Sequence, residues 1–390
     1  MALLDRVVIQ GYRGARDVAL EPPPLCALAG ESSSGKSTVL EAVWTLLEAA
    51  APPPTSADLT RGTARVHITA ETGGRELFLD ARPPATLNLN REGAPPVLFF
   101  PADLRAGSLL APSDRAGADL RSSIDGRTDG GLALVRVMRS LVERRTRGHV
   151  VLVEEPELFL SPPAQRHLHR LLRDLAARGR NQVLYATHSP TFLAVDGLDS
   201  LVLVRHGNRE GTLLRQPSAL SGDRHARLLA ELDGERAEIF VSRAVLLVEG
   251  RTEKLTFPFV FEALGYDPDQ EAIAIVDCAG KGNMPLLVEV CNACGIPYVV
   301  VHDRDAPRGS QPPDAERVAN AAILRLAGRR RTVTLVPDFD ATIGLNVRRG
   351  KPAAALRRFR EGGEVPQPLR QAVERVVAAG RRAPRATRGA

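Results

Sequence analysis

The stretch LAGESSSGKSTVLEA, Leu28 to Ala42, decides how the first half of the chain is read. Gly30 to Ser37 fits the spacing G-x-x-x-x-G-K-S. A strand over Leu25–Ala29 is expected before it and a helix over Ser37–Leu47 after it. That setting gives the motif a physical meaning. Gly30 and Gly35 let the backbone curl through Ser33 and Ser34, so that its N–H groups point inward at phosphate oxygens. The helix that starts near Thr38 adds its positive end. Lys36 reaches the β and γ phosphates, and Ser37 ligates Mg²⁺. A Ser/Gly turn beside a helix is the plainer reading, but it does not account for the strand-loop-helix order. ATP with Mg²⁺ is the expected ligand.

Working outward, 390 residues suit two or three domains at about 150 residues each. No apolar run approaches the ~20 residues needed to cross a membrane. The N-terminal MALLDRVVIQGYRG reads as a strand and lacks the long apolar core of a signal peptide. Cys26, Cys278, Cys291 and Cys294 are too few for a disulfide scaffold. The Cys291-x-x-Cys294 pair has no second ligand pair nearby and reads as buried apolar residues. A cytoplasmic protein without a membrane partner is expected.

The net charge is +6, and Asn346 to Ala390 carries twelve Arg and Lys against three Glu. Residues 361–390 therefore read as a basic tail, either suited to phosphate backbones or simply solvated. Of 52 basic residues only Lys36, Lys254, Lys281 and Lys351 are lysines. Where arginine serves as the default cation, the few lysines mark positions that favour a compact ammonium over a planar fork.

Along the chain, short strands are expected at 3–10 and 64–80, the latter turning at TGG (72–74). Residues 83–121 resist assignment. Helical periodicity covers Gly131–Arg144 and Ala164–Arg178, and HVVLVEEPE, NQVLYATHSP and LDSLVLVRHGN read as buried strands. Near Ser242 the pattern restarts, and strands alternate with helices on short links through TVTLVPD (332–338), as in a parallel α/β domain. The expected division is an ATPase domain at 1–242, a second α/β domain at 243–360 and the tail at 361–390.

Val150–Val153 followed by Glu154 and Glu155 reads as a Walker B strand. Glu154 would help hold Mg²⁺ and Glu155 would polarise the attacking water. His188, at the end of the next strand, would sense the γ-phosphate. Together with GYRG (11–14) and EEPELFLSP (154–162), these motifs resemble the ATP-binding-cassette ATPases, and in particular the branch with SMC-like and DNA-repair members. The resemblance covers about 1–240 and implies a homodimer, because a signature helix would complete the partner's site. A degenerate one is expected within SSIDGRTDGG (122–131). Glu154 stands where that branch usually has Asp.

In the second half, LLVEGRTEK sets Glu249 at a strand end and Glu253 one helical turn later, while VVVHDRDA sets Asp303 and Asp305 at another strand end. The carboxyl ends of parallel strands gather at one edge, where sites form. Carboxylates converging there repel unless cations neutralise them, and hard oxygen ligands suit Mg²⁺ or Mn²⁺. Solvated loop ends are the alternative for any one of them. The pattern E-G-x-x-E … D-x-D, with GKGN (280–283) between, resembles the Toprim fold of topoisomerases, primases and certain nucleases.

An ATP-binding-cassette ATPase followed by a Toprim domain resembles the OLD (overcoming lysogenisation defect) family of prokaryotic nucleases over about 1–360. That resemblance implies an ATP-regulated DNA endonuclease using two Mg²⁺ or Mn²⁺ ions, with a role in phage or foreign-DNA defence or DNA repair. It also implies further metal ligands at Asp338 and Asp340 in LVPDFDATIGL, and a catalytic lysine at Lys351 in GKPAAALRRF. Lys281 reads as a second lysine of the site, one that positions phosphate. The competing reading is a non-catalytic ATP-dependent DNA-binding or signalling module whose Toprim has decayed. A topoisomerase would need a nucleophilic tyrosine. Tyr12, Tyr185, Tyr266 and Tyr298 are the only candidates, and Tyr298 begins a buried strand.

Overall fold

The computed structural model describes residues 3–382, apart from 103–129, 195–197, 208–209, 218–226, 229, 308, 346–350 and 361. The chain divides into one compact unit up to Ala219 and a second over Leu220–Pro384. The sequence-based boundary lay at 242.

The first unit is built on β1 (Arg6–Tyr12), β2 (Ala15–Leu20), β3 (Leu25–Ala29), β4 (Val66–Thr72), β5 (Arg75–Arg82), β6 (Thr86–Asn90), β7 (Val97–Phe100), β8 (Val150–Glu154), β9 (Gln182–Thr187), β10 (Leu201–Gly207) and β11 (Gly211–Arg215). They form one sheet in the order β6-β5-β4-β1-β2-β11-β10-β3-β9-β8-β7. β10, β3, β9, β8 and β7 run parallel, and the other strands pair antiparallel. The parallel block reads as unbroken apolar runs because both its faces are covered. Val150 to Val153 of β8 and all of β9 are buried. Helix α1 (Lys36–Leu47) buries Val39, Leu40, Val43, Leu46 and Leu47, a helical stripe that seats the phosphate loop at the end of β3. The β4–β5 hairpin turns on Gly73 and Gly74, both at positive φ, as a two-residue turn of this hand requires. Helices α2 (Gly130–Glu143) and α3 (Pro162–Gly179) pack against each other. The expected signature segment 122–131 lies almost wholly outside the described residues.

In the second unit, β12 (Ala244–Val248), β13 (Ile273–Asp277), β14 (Tyr298–Asp303) and β15 (Thr332–Leu335) form a parallel sheet in the order β13-β12-β14-β15. Helices α4 (Arg251–Ala263), α5 (Met284–Cys294) and α6 (Asp314–Ala327) link successive strands, and α7 (Phe339–Thr342), α8 (Lys351–Arg360) and α9 (Gln367–Arg382) follow. The strand order reverses at β12, so the carboxyl ends of β12 and β14 flank the switch point where sites form in such sheets. Residues before 243 belong to this unit through the 3₁₀ turn Arg236–Phe240, whose Arg236 Nε donates to the carbonyl of Asp277 at 3.0 Å.

One expectation is overturned. Residues 361–390 are not simply a basic tail, since Gln367–Arg382 is helix α9. It buries Leu369, Ala372, Val373, Val376 and Val377 in the core of the second unit. The arginines occupy the other face, and their density hid an apolar stripe at i, i+3, i+4, i+7 and i+8. All four cysteines are buried. Tyr298 is buried with its hydroxyl on Asn292 Oδ1 at 3.0 Å, so it offers no accessible nucleophile.

Candidate functional site

Two sites can be built from the residues upward, one in each unit. In the first, the loop between β3 and α1 is pinned by close approach. A Cβ on Gly30 would lie 2.1 Å from the carbonyl oxygen of Val204, and one on Gly35 would lie 2.2 Å from Thr212 Oγ1. Gly35 also sits at φ 107° and caps α1, and Ser33 adopts φ 61°. The loop therefore curls as expected, leaving the buried Ser34 hydroxyl without a hydrogen-bond partner.

Lys36 is 6 % exposed, and its Nζ donates to the carbonyls of Gly30 at 3.0 Å and Glu31 at 2.8 Å. Burial lowers its pKa, against the pull of Glu155, Glu157 and Glu31. The Ser37 hydroxyl is within hydrogen-bonding reach of the Glu154 carboxylate, whose pKa burial raises. The two residues expected to share a Mg²⁺ are thus already neighbours, and Glu154 Oε1 is a buried oxygen without a partner.

Glu155 is held at φ 43° by its N–H on the Ala186 carbonyl. His188 Nδ1 lies 3.7 Å from Glu155 Oε1 and 3.7 Å from Glu157 Oε1. The reading from sequence missed Glu157. It is 8 % exposed, accepts the His188 N–H at 2.9 Å and leaves Oε2 unpartnered. Its signal was the third carboxylate of EEPE, two residues beyond Glu155.

The second site lies at the carboxyl edge of the β13-β12-β14-β15 sheet. Glu249 follows β12, Asp303 ends β14, and Asp338 caps α7 with Oδ1 accepting the Ala341 N–H at 2.7 Å. Glu253 is in the first turn of α4 and is 8 % exposed. Asp303 Oδ1 is buried without a hydrogen-bond partner. Burial, reinforced by the charges of Glu249, Glu253 and Asp338, pushes its pKa up to about 8. Burial likewise pushes Glu253 up to about 7, helped by Glu249, Asp277 and Asp340. The donor set is entirely hard carboxylate oxygen with one orphaned buried atom, which fits a divalent cation such as Mg²⁺ or Mn²⁺ in chemistry. In spacing the fit is incomplete. Among the described residues, no group of three or more His, Cys, Asp or Glu stands ready to hold a metal.

Not every expected residue joins this cluster. Asp305, at φ 59°, turns to Lys281. The Lys281 ammonium is 5 % exposed and is surrounded by Asp305, by Glu316 Oε2 at 2.8 Å and by Glu249 Oε2 at 3.8 Å. It was expected to meet phosphate from a glycine-rich loop. It is instead a buried counter-ion, because the loop folds back and the Gly280 N–H bonds the Glu249 carbonyl at 2.8 Å. Lys351, which starts α8, pairs with Asp340, and that pairing raises its pKa. Asp277 and Glu316 were missed. Asp277 obeys the same strand-end rule that found Glu249 and Asp303, whereas Glu316 carries no local signal.

The fold and sites define a P-loop ATPase joined to a Toprim domain. A family model described as the Overcoming lysogenization defect protein-like, TOPRIM domain matches residues 240–305, and one described as AAA domain, putative AbiEii toxin, Type IV TA system matches 65–194. The OLD nuclease of Thermus scotoductus is 32 % identical over 293 residues, 70 % of this chain and 54 % of that protein. The Old nuclease of Escherichia phage P2 is 25 % identical over 182 residues, 44 % of this chain and 30 % of that protein. This chain therefore spans about half the length of the Thermus relative, and less of the phage one. Among solved structures, the C-terminal region of the Burkholderia pseudomallei OLD protein aligns at 20 % identity and a TM-score of 0.31, over 36 % of this chain and 100 % of that one. The SMC head domain from Thermotoga maritima aligns at 15 % identity and a TM-score of 0.35, over 56 % of this chain and 100 % of that one. In its sequence and its order of domains, this chain has the ATPase-plus-Toprim make-up of the OLD family.

Proposed function

We propose that this chain is an ATP-regulated, divalent-metal-dependent DNA endonuclease that acts as a cytoplasmic homodimer in defence against foreign DNA. The observation that carries the reading is Asp303, a buried carboxyl with an orphaned oxygen, crowded by Glu249, Glu253 and Asp338. Such crowding is unfavourable without a cation, and a fold gains nothing by gathering these groups unless something binds them.

Glu249, Glu253, Asp303 and Asp338 would hold the ions, with Asp340 and Asp305 at the margin. Bound Mg²⁺ or Mn²⁺ would supply Lewis-acid activation of water and stabilisation of the leaving oxygen. Lys351, released from Asp340 when the carboxylates are neutralised, would donate a proton to that oxygen. Lys281 keeps Glu249 oriented from behind. In the other unit, Lys36 would exchange the carbonyls of Gly30 and Glu31 for the phosphates of ATP. Glu154 and Ser37 would share its Mg²⁺, and Glu155 and His188 would face the γ-phosphate. Phosphodiester hydrolysis is downhill, so ATP serves assembly or DNA engagement rather than bond cleavage.

The incomplete spacing of the carboxylates favours one competitor, a DNA-binding module without cleavage. Supercoiled plasmid incubated with Mg²⁺, Mn²⁺ or EDTA, with and without ATP, separates the two. Nicking or linearisation in a divalent ion and none in EDTA supports the nuclease. Intact plasmid under every condition, with retained DNA binding, establishes the binding module instead.

A further inference from the structure

Helix α3 carries Arg166, Arg170 and Arg173 at i, i+4 and i+7, one stripe on its solvent face, and all three are exposed. The opposite face buries Leu168, Leu172 and Leu175 in the first unit. No described side chain forms an ion pair or hydrogen bond with the three guanidinium groups. The single acidic residue of the helix, Asp174, is engaged by Arg178 at 3.4 Å. The stripe runs on to a cup of about 300 Å³ between the C-terminal ends of α2 and α3, lined by Arg145, Arg147 and Arg178 with Asp174 over apolar Leu141 and Leu175.

Local stability does not explain this placement. Cations near a helix C-terminus are favoured by the dipole, which accounts for Arg178 and the neighbours in the cup. Arg166, the fifth residue of α3, lies past the first turn and far from the C-terminus, so the dipole gives it no support. Like charges at i and i+4 also cost about 0.2–0.5 kcal/mol per pair, and Asp174, shared with Arg178, is the one acid the helix sets against them. A face that accepts these costs is arranged for an external polyanion. Helical rise sets Arg166 and Arg178 about 18 Å apart along the axis. That length matches about five base pairs of a duplex, at 3.4 Å per phosphate on each strand.

We infer that the exposed arginine stripe of α3, together with the α2–α3 cup, is a sequence-independent docking surface for the phosphate backbone of duplex DNA on the ATPase unit. This inference rests on the DNA-directed reading above. It adds that DNA is gripped by the ATPase half independently of the carboxylate site.

The test compares R166E/R170E/R173E with a control triple of equal charge change on exposed arginines elsewhere in the same unit, R6E/R75E/R82E. Binding of a fluorescent 30-base-pair duplex (a length of roughly six times the matched span) is followed by anisotropy in EDTA over a series of salt concentrations. ATP binding serves as the check of folding. The stripe variant should lose at least tenfold in affinity, and the slope of log K against log salt should shrink by about 2.7, at ~0.9 per contact. The control should lose much less. Equal losses in both triples, or none in the stripe variant, would overturn the inference and leave the nuclease reading standing. Wild-type protein that binds no duplex at low salt would instead overturn the DNA reading itself. Should the stripe triple fail to bind ATP, R170Q alone is used, with an expected slope change of about 0.9. An unchanged slope in R170Q overturns the inference.

Discussion

The backbone N–H of Asp303 donates to Oε2 of Glu249 at 3.3 Å, so the end of β14 is tied to the side chain that follows β12. The bond spans the point where the strand order reverses. It holds two carboxylates together at the sheet edge although their charges repel. Asp338 Oδ1 has the Ala341 N–H, but the buried Asp303 Oδ1 meets no donor, so proton uptake is its route to neutrality when no cation is bound.

Metal-free protein should therefore lose stability as pH rises. Asp303 moves from an ordinary value of 3.8 to about 8 in the fold, and Glu253 from 4.5 to about 7. Both folded values exceed the unfolded ones, so the native state binds extra protons between them. The contribution is complete below the unfolded values and is lost as pH rises through about 7 to 8. In EDTA the melting temperature should fall from about pH 4 to about pH 8 and level off above that. Asp303→Asn should flatten that fall and raise the alkaline melting point by at least ~3 °C. Mg²⁺ or Mn²⁺ should stabilise the wild type more at the alkaline end, since ligands bind deprotonated. Thermal melts with no pH dependence in either protein would sink the assignment of a crowded site.

The sequence disclosed this site unevenly, for physical reasons. Glu249 and Asp303 were legible because a buried parallel strand must end in its sheet edge, and the residue at that end is placed by the backbone alone. Asp277 follows the same rule and should have been included. Glu316 and the inward turn of Lys281 depend on how a loop and a helix pack, which no local pattern records. The same contrast runs through the fold. The strand-loop-helix of β3 and α1 is fixed by glycine spacing, whereas α9 was masked by its arginines and became visible only through the face it buries. β6, mostly exposed, carries too little alternation in burial to be read as a strand.

The nucleotide site should be separable from the carboxylate site. Lys36→Ala should abolish ATP binding, because the phosphates lose their main cationic partner. Gly35→Ala should do nearly the same without touching a charge, since its Cβ would meet Thr212 at 2.2 Å on a backbone at φ 107°. Glu155→Gln should keep ATP binding and slow turnover at least ~10-fold. Nucleotide titration and phosphate release measure these. Metal-dependent nicking should persist in part in Lys36→Ala, and its complete loss from a folded protein would contradict a regulatory role for ATP.

Lys281 should matter more to the fold than to phosphate contact. Its ammonium is 5 % exposed, while Glu249, Asp305 and Glu316 remain 25 %, 34 % and 37 % exposed. Removing a buried partner leaves uncompensated charge, and solvent reaching the carboxylates reduces the penalty to about 2 kcal/mol. Lys281→Met should lower stability by that order in urea unfolding. Glu316→Gln should recover part of it, as coupled neighbours do. Lys281→Arg should also destabilise by about 1–3 kcal/mol, because the guanidinium is too large for the enclosed position. A Lys281→Met protein as stable as the wild type would return this residue to the phosphate-positioning role read from its loop.

Lys351 stands in the opposite situation. Its side chain is 45 % exposed and pairs with Asp340, within the field of Asp338 and Asp303. Proton donation to a leaving oxygen needs an ammonium that can lose its proton, whereas guanidinium stays protonated and spreads its charge over a larger plane. An arginine here could also lock onto Asp340 through two parallel bonds, which would hold it away from substrate. Lys351→Arg should therefore lower single-turnover cleavage of a labelled duplex at least ~10-fold, or about 1.4 kcal/mol of transition-state stabilisation. Duplex affinity in EDTA should barely change, because a cation remains. Asp340→Asn should leave Lys351 untethered and lower its pKa, shifting the alkaline limb of the rate profile downward. A Lys351→Arg rate within about twofold of the wild type would remove this residue from the chemistry and leave proton transfer to water.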